Sequence, residues 1–202
     1  MKATDAARRQ DHALRLESAS IATARNLGCE RRVPLSDLLS LHTRLDEHFA
    51  WHQELLLDRR LSEARQSFGA YVELLELHMR HEELLLLPIY ARAEPPARFP
   101  LVLFTGQHQR MRELLQGAAA RLDQLSGEGS ALARAVIELL DHERTYKHLG
   151  EHHDGAERQA LFPTLDRLAT PDEHARLTEA CFTEWFAAET RLRAAGALGQ
   201  AP

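Results

Sequence analysis

Cysteine is nearly absent: Cys29 and Cys181 are the only two in 202 residues, and no Cys-x-x-Cys pair occurs. A disulfide framework and a thiolate metal site are both excluded. No stretch approaches the ~20 consecutive apolar residues of a membrane-spanning helix, and residues 1–30 lack the apolar run of a signal peptide. The expected location is the cytoplasm. A formal net charge of -5 leaves no broad basic face, which argues against nucleic acid and anionic membrane as partners. Val, Ile and Thr are scarce beside Leu, Ala, Glu and Arg, so strands are not expected and the chain is predicted to be all-α. A hydrophobic content of 44% is enough for one substantial core. What stands out is histidine, with twelve copies.

Apolar spacing sets the order of elements. Residues 1–33 are polar and weakly patterned, an arm or a loosely docked helix. A first helix is predicted from about Leu35 to Leu57, with Leu38, Leu41, Leu45, Phe49 and Leu56 inward and a tight turn at Asp58-Arg59-Arg60. In the second, Leu61, Ala64, Phe68, Tyr71, Leu75, His78, Glu82 and Leu85 recur at spacings of three and four until Pro88. The third opens at Pro100, after the Pro95-Pro96 loop, carries Leu103, Phe104, Met111, Leu114, Leu115 and Leu122, and ends at Gly127 and Gly129. The fourth runs from near Ala131 to about Leu168, with Val136 or Ile137, Leu139, Leu149, Leu161 and Leu165 inward and a bend or break at Pro163. Thr170-Pro171-Asp172-Glu173 is a capping box that opens a fifth helix reaching Gly196. The expected architecture is an up-down-up-down four-helix bundle over residues 34–168, with an additional C-terminal helix, residues 169–202, packed on it.

The second and fourth helices repeat each other. At an offset of 75 residues YVELLELHMRHEELLLLP aligns with YKHLGEHHDGAERQALFP, identical at seven of eighteen positions. Tyr71, His78, Glu82 and Pro88 fall on Tyr146, His153, Glu157 and Pro163. The first and third helices echo each other more faintly: Pro34 precedes His42, and Pro100 precedes His108, by eight residues. Two related hairpins result. Counting ~1.5 Å of rise per residue from the turns places His42, His78, His108 and His153 in one layer.

In a helix, His-x-x-x-Glu presents an imidazole and a carboxylate to one point. Only His78/Glu82 and His153/Glu157 have this spacing, and each is followed by proline six residues after the glutamate. Buried carboxylates and imidazoles need a compensating cation or a complete hydrogen-bond network. A doubled pair with two more histidines at matching height favours the cation. Nitrogen and oxygen donors suit iron, manganese or zinc, and two facing carboxylates suit a bridged pair of ions. The expected cofactor is a pair of iron ions, with zinc or manganese as substitutes. On the first helix His42, His48 and His52 compete. His42 matches the layer height and His52 faces the apolar stripe more squarely, so the predicted metal set is His42, His78, Glu82, His108, His153 and Glu157.

HMRHEELLLLP, HHDGAERQALFP and GQHQRMRELL together resemble the hemerythrin-like, or HHE cation-binding, family over about residues 35–168. The resemblance implies a four-helix bundle holding a non-haem di-iron centre with histidine terminal ligands and carboxylate bridges. Oxygen-carrying hemerythrins have a second histidine one turn later on the third helix, where this chain has Arg112. One iron then has one more open position, which favours redox or nitric oxide chemistry over simple oxygen carriage. The ferritin-like alternative needs Glu-x-x-His on two helices, and the sequence has none.

Other residues carry weaker expectations. Tyr71 and Tyr146 read as core aromatics, or as partners of the bridging carboxylates. His52 is expected beside His142 or Glu143 below the layer, Asp46 as an extra ligand or a surface charge, and His152 and Asp154 in supporting or surface roles. His12, His81, His148 and His174 are expected at the surface, and Trp51 and Trp185 in packing. The implied function is binding of a small ligand, O2, NO or peroxide, as sensor, scavenger or store. Redox enzymology with a redox partner, iron–sulfur cluster repair or iron donation, and a zinc-bound or metal-free interaction bundle are the alternatives.

Overall fold

Helix-forming composition dominates the outcome: among the described residues, 33–94 and 98–199, the computed structural model contains helices and turns and no strand. The chain divides into two units, Met1–Val33 and Pro34–Pro202, and all the described helices lie in the second. The predicted arm, with His12 and Cys29, lies outside the described residues apart from Val33.

Five long helices make up this unit. After a 3-10 turn at Leu35–Leu39, α1 spans Ser40–Leu57. The predicted turn follows, with Arg59 in the left-handed region at φ 60°. Helix α2 spans Leu61–His81 and continues through a π turn, Glu82–Leu86, into a short α3, Leu87–Tyr90. Helix α4 is Leu101–Gln124; α5 is Gly129–Ala156, which continues through a second π turn, Glu157–Leu161, into α6, Phe162–Leu168. Helix α7, Pro171–Ala194, begins at the capping box: Glu173 N donates to Thr170 Oγ1 at 3.2 Å, and Thr170 N donates to Glu173 Oε2 at 2.8 Å. Helix α1 packs on α2, α4 on α5, and α7 against α2. No helix among the described residues is long and apolar enough to cross a membrane.

The prolines neither end the second helix nor break the fourth. A proline has no N–H, and its ring crowds the carbonyl four residues earlier. Both helices widen by one π turn just before it: Leu87 N–H bonds to Glu82 O, and Phe162 N–H to Glu157 O. The widening begins at the glutamate of each His-x-x-x-Glu. It also delays the return of the chain to the inner face, so Leu86 is buried at 2% exposure and Leu85 only half-buried. On α5, Val136 is inward and Ile137 is exposed.

Candidate metal centre

Four helices each bring one imidazole to a single layer of the core. His42 on α1, His78 on α2, His108 on α4 and His153 on α5 are all buried, and Glu82 and Glu157 lie between them with 1% and 0% exposure. The arrangement has two halves. His42 Nε2 is 2.9 Å from His78 Nε2, His78 Nε2 is 2.8 Å from Glu82 Oε1, and His42 Nε2 is 3.2 Å from Glu157 Oε2. Opposite, His108 Nε2 is 3.1 Å from His153 Nε2, His108 Nε2 is 2.9 Å from Glu82 Oε2, and His153 Nε2 is 3.2 Å from Glu157 Oε1. Each carboxylate thus turns one oxygen to each histidine pair. Donor atoms of His42, His78, Glu82 and Glu157, and of Glu82, His108 and His153, group closely enough to hold an ion.

The outer ring nitrogens explain why the inner ones converge. His42 Nδ1 donates to Asp154, His108 Nδ1 lies 2.8 Å from Glu83 Oε1, and His153 Nδ1 lies 3.0 Å from Gln107 Oε1. These acceptors hold the ring protons of His42, His108 and His153 outward, so their Nε2 lone pairs face the carboxylates and the neighbouring rings. All four oxygens of Glu82 and Glu157 are buried without a hydrogen-bond donor. Lone pairs opposed at about 3 Å are stable only with positive charge among them, so the donor set fits a cation. The field shows the same demand. Burial lowers the His153 pKa, but the negative charges of Glu157 and Glu82 beside it push it up to about 10. Burial favours the neutral form of Glu82, yet the neighbouring imidazoles hold its pKa well below the usual carboxylate range.

A model of the hemerythrin HHE cation binding domain matches residues 33–165. The chain belongs to that family. No curated protein and no solved structure gives a significant match. The matched stretch of this hemerythrin-like chain contains both halves of the histidine–glutamate layer and ends before α7.

The other candidates lie elsewhere. His48 Nε2 is 2.8 Å from Glu189 Oε1 on α7, and Arg44 Nη2 donates to Glu189 Oε2 at 2.6 Å. His52 forms a buried cluster below the layer, with Nε2 2.9 Å from Glu143 Oε1 and Gln53 Nε2 donating to Glu143 Oε2 at 2.9 Å. His142 instead bonds Leu114 O. The Tyr71 and Tyr146 hydroxyls bond each other beside Phe49. Asp46, His148 and His152 are exposed. Arg112 donates to Glu76 at 3.0 Å and, at 3.1 Å, to Glu83 Oε1, the oxygen that faces His108 Nδ1. Two surface expectations are corrected: His81 and His174 are buried. His81 Nε2 faces Glu184 of α7 at 3.1 Å, so the helix that covers it makes the difference. Trp185 is fully buried, edge-on to His78 at 6.5 Å. Trp51 is half-buried beneath Gly199, where a Cβ would come within 2.8 Å of the indole.

Proposed function

We propose that the layer holds a non-haem di-iron centre, with His42 and His78 on one ion, His108 and His153 on the other, and Glu82 and Glu157 as bridges. The observation that carries this is the pairing of carboxylate oxygens: Glu82 directs Oε1 to His78 and Oε2 to His108, and Glu157 directs Oε2 to His42 and Oε1 to His153. Imidazole and carboxylate donors without thiolate suit iron, and zinc or manganese match a role in ligand chemistry less well. Two imidazoles and two carboxylate oxygens leave open positions on both ions. Bound iron would supply redox-active positions for a small ligand.

The role that follows is reaction with O2, NO or peroxide as a cytoplasmic sensor, scavenger or store. The bundle behind it is an up-down-up-down arrangement of residues 34–168, with residues 169–202 packed on it. Arg112 adds no donor to the His108 half, which supports ligand chemistry over plain oxygen carriage. Loading with ferrous iron under anaerobic conditions and then admitting oxygen should produce near-ultraviolet charge-transfer bands. The His78→Ala, His153→Ala double variant should lose them while its helical circular dichroism persists. Bands of equal strength in the double variant, or none in the parent, contradict the proposal.

A further inference from the structure

Two carboxylates behind the layer each carry a second, cationic partner. Asp154 receives His42 Nδ1 on Oδ1 and Arg158 Nε on Oδ2, the latter at 2.8 Å. In the other half, Glu83 Oε1 lies 2.8 Å from His108 Nδ1 and accepts from Arg112 Nη1 at 3.1 Å. Each half of the layer is thus backed by a histidine–carboxylate–arginine chain. His153, by contrast, rests on the neutral amide of Gln107.

The two arginines are not equally placed. Arg112 stands one turn after His108 on α4, and its side chain is 26% exposed against 49% for Arg158. Its Nε also donates to both oxygens of Glu76 on α2, at 3.1 and 3.0 Å, so the guanidinium is fixed between two carboxylates. Arg158 reaches Asp154 only across one turn of its own chain segment, and solvent screens an exposed pair of that kind. An arginine keeps its charge at every accessible pH, so neither chain depends on a titrating cation.

When a metal occupies Nε2 of a histidine, the ring proton stays on Nδ1, and the acceptor there governs how much electron density the imidazole gives the ion. A bare carboxylate increases that donation and favours the ferric state. A guanidinium on the same carboxylate draws charge from it, weakens it as an acceptor and adds a positive charge nearby. Both effects favour the ferrous state.

Resting on the reading that the layer holds a pair of irons, we propose that Arg112 is a positioning residue which, through Glu83, fixes His108 and holds up the reduction potential of the ion bound there. Arg158 acts in the same sense through Asp154 on the His42 ion, and more weakly.

The test is a redox titration of the full-length iron-loaded protein, followed at its charge-transfer bands, for Arg112→Gln, Glu83→Gln and the double variant. Arg112→Gln should raise the ferric-to-ferrous ratio at fixed potential about tenfold, a fall of about 59 mV for one electron. Arg112→Lys, which keeps the charge but cannot span Glu76 and Glu83, should raise it about threefold. In the Glu83→Gln background, Arg112→Gln should change it by no more than about twofold, because the carboxylate through which it acts is gone. An arginine with a structural role alone would move the melting temperature and leave the potential in place. Should Arg112→Gln load iron poorly, Arg112→Lys carries the test, and a potential equal to the parent's there overturns the proposal. A potential unmoved by Arg112→Gln, a shift of equal size with and without Glu83, or a larger shift in Arg158→Gln also overturns it and leaves the metal reading standing. A parent protein that takes up no pair of irons overturns the metal reading, and this proposal with it.

Discussion

Asp154, Glu83 and Gln107 decide which nitrogen of His42, His108 and His153 faces the layer. None is in the predicted metal set, yet each is the chain neighbour of a residue that is: Asp154 follows His153, Glu83 follows Glu82, and Gln107 precedes His108. Adjacency is the one signal of their role in the sequence. Asp154 reads there as supporting or surface, because an exposed carboxylate and a carboxylate bonded to His42 across the bundle share one pattern. In the structure, burial would raise the Asp154 pKa, but hydrogen bonds from His42 and Arg158 hold it at about 2. Partners of this kind orient a ligating histidine and are worth about 10- to 100-fold in metal affinity. Asp154→Ala should weaken iron binding by that factor, chiefly in the His42 half, as measured by competition with a chelator. Unchanged affinity in the variant would remove Asp154 from the site. The burial of His81 is illegible in the sequence for a different reason: its face of α2 is solvent until α7 covers it.

At the scale of elements, the helices and their inward residues are legible because spacings of three and four directly report a buried stripe. The π turns are not. Pro88 and Pro163 signal that the backbone must adjust, but whether it stops, bends or widens depends on what packs beyond, and here Leu86, Leu161 and Phe162 are all drawn into the core. The sequence presents the docking of α7 only as packing. Its polar anchor is Glu189, which receives His48 and Arg44 from α1 and Arg193 from its own helix at 3.2 Å. His48 thereby leaves the competition among the three histidines of α1, a result no reading of α1 alone could reach. Burial would raise the Glu189 pKa, but His48 and Arg44 hold it at about 2 against an ordinary 4.5. A carboxylate whose folded pKa is depressed stabilises the fold fully above its unfolded pKa, and that contribution is lost as pH falls toward the folded value. Thermal stability should therefore drop between about pH 4.5 and pH 2. Glu189→Gln should be less stable at neutral pH and show a shallower drop through that window. An equal drop in both would assign the acid sensitivity elsewhere.

Across the whole molecule, one repeated segment supplies both carboxylates and two of the four imidazoles of the layer. The 75-residue offset that aligns His78 and Glu82 with His153 and Glu157 becomes, in three dimensions, two helices whose carboxylates each reach both histidine pairs. The layer is legible because repetition marks residues that act together. The partners of the outer ring nitrogens and the covering helix are not, because they depend on contacts between distant segments. The bridging role of Glu82 and Glu157 is the central claim, and iron stoichiometry measured together with electron paramagnetic resonance tests it most directly. The parent protein should bind about two ferric ions per chain, magnetically coupled and without a high-spin mononuclear signal. Glu82→Gln with Glu157→Gln should bind fewer ions and lose the coupling. One isolated ferric ion per chain in the parent, or a coupled pair that survives the double substitution, would contradict a bridged pair.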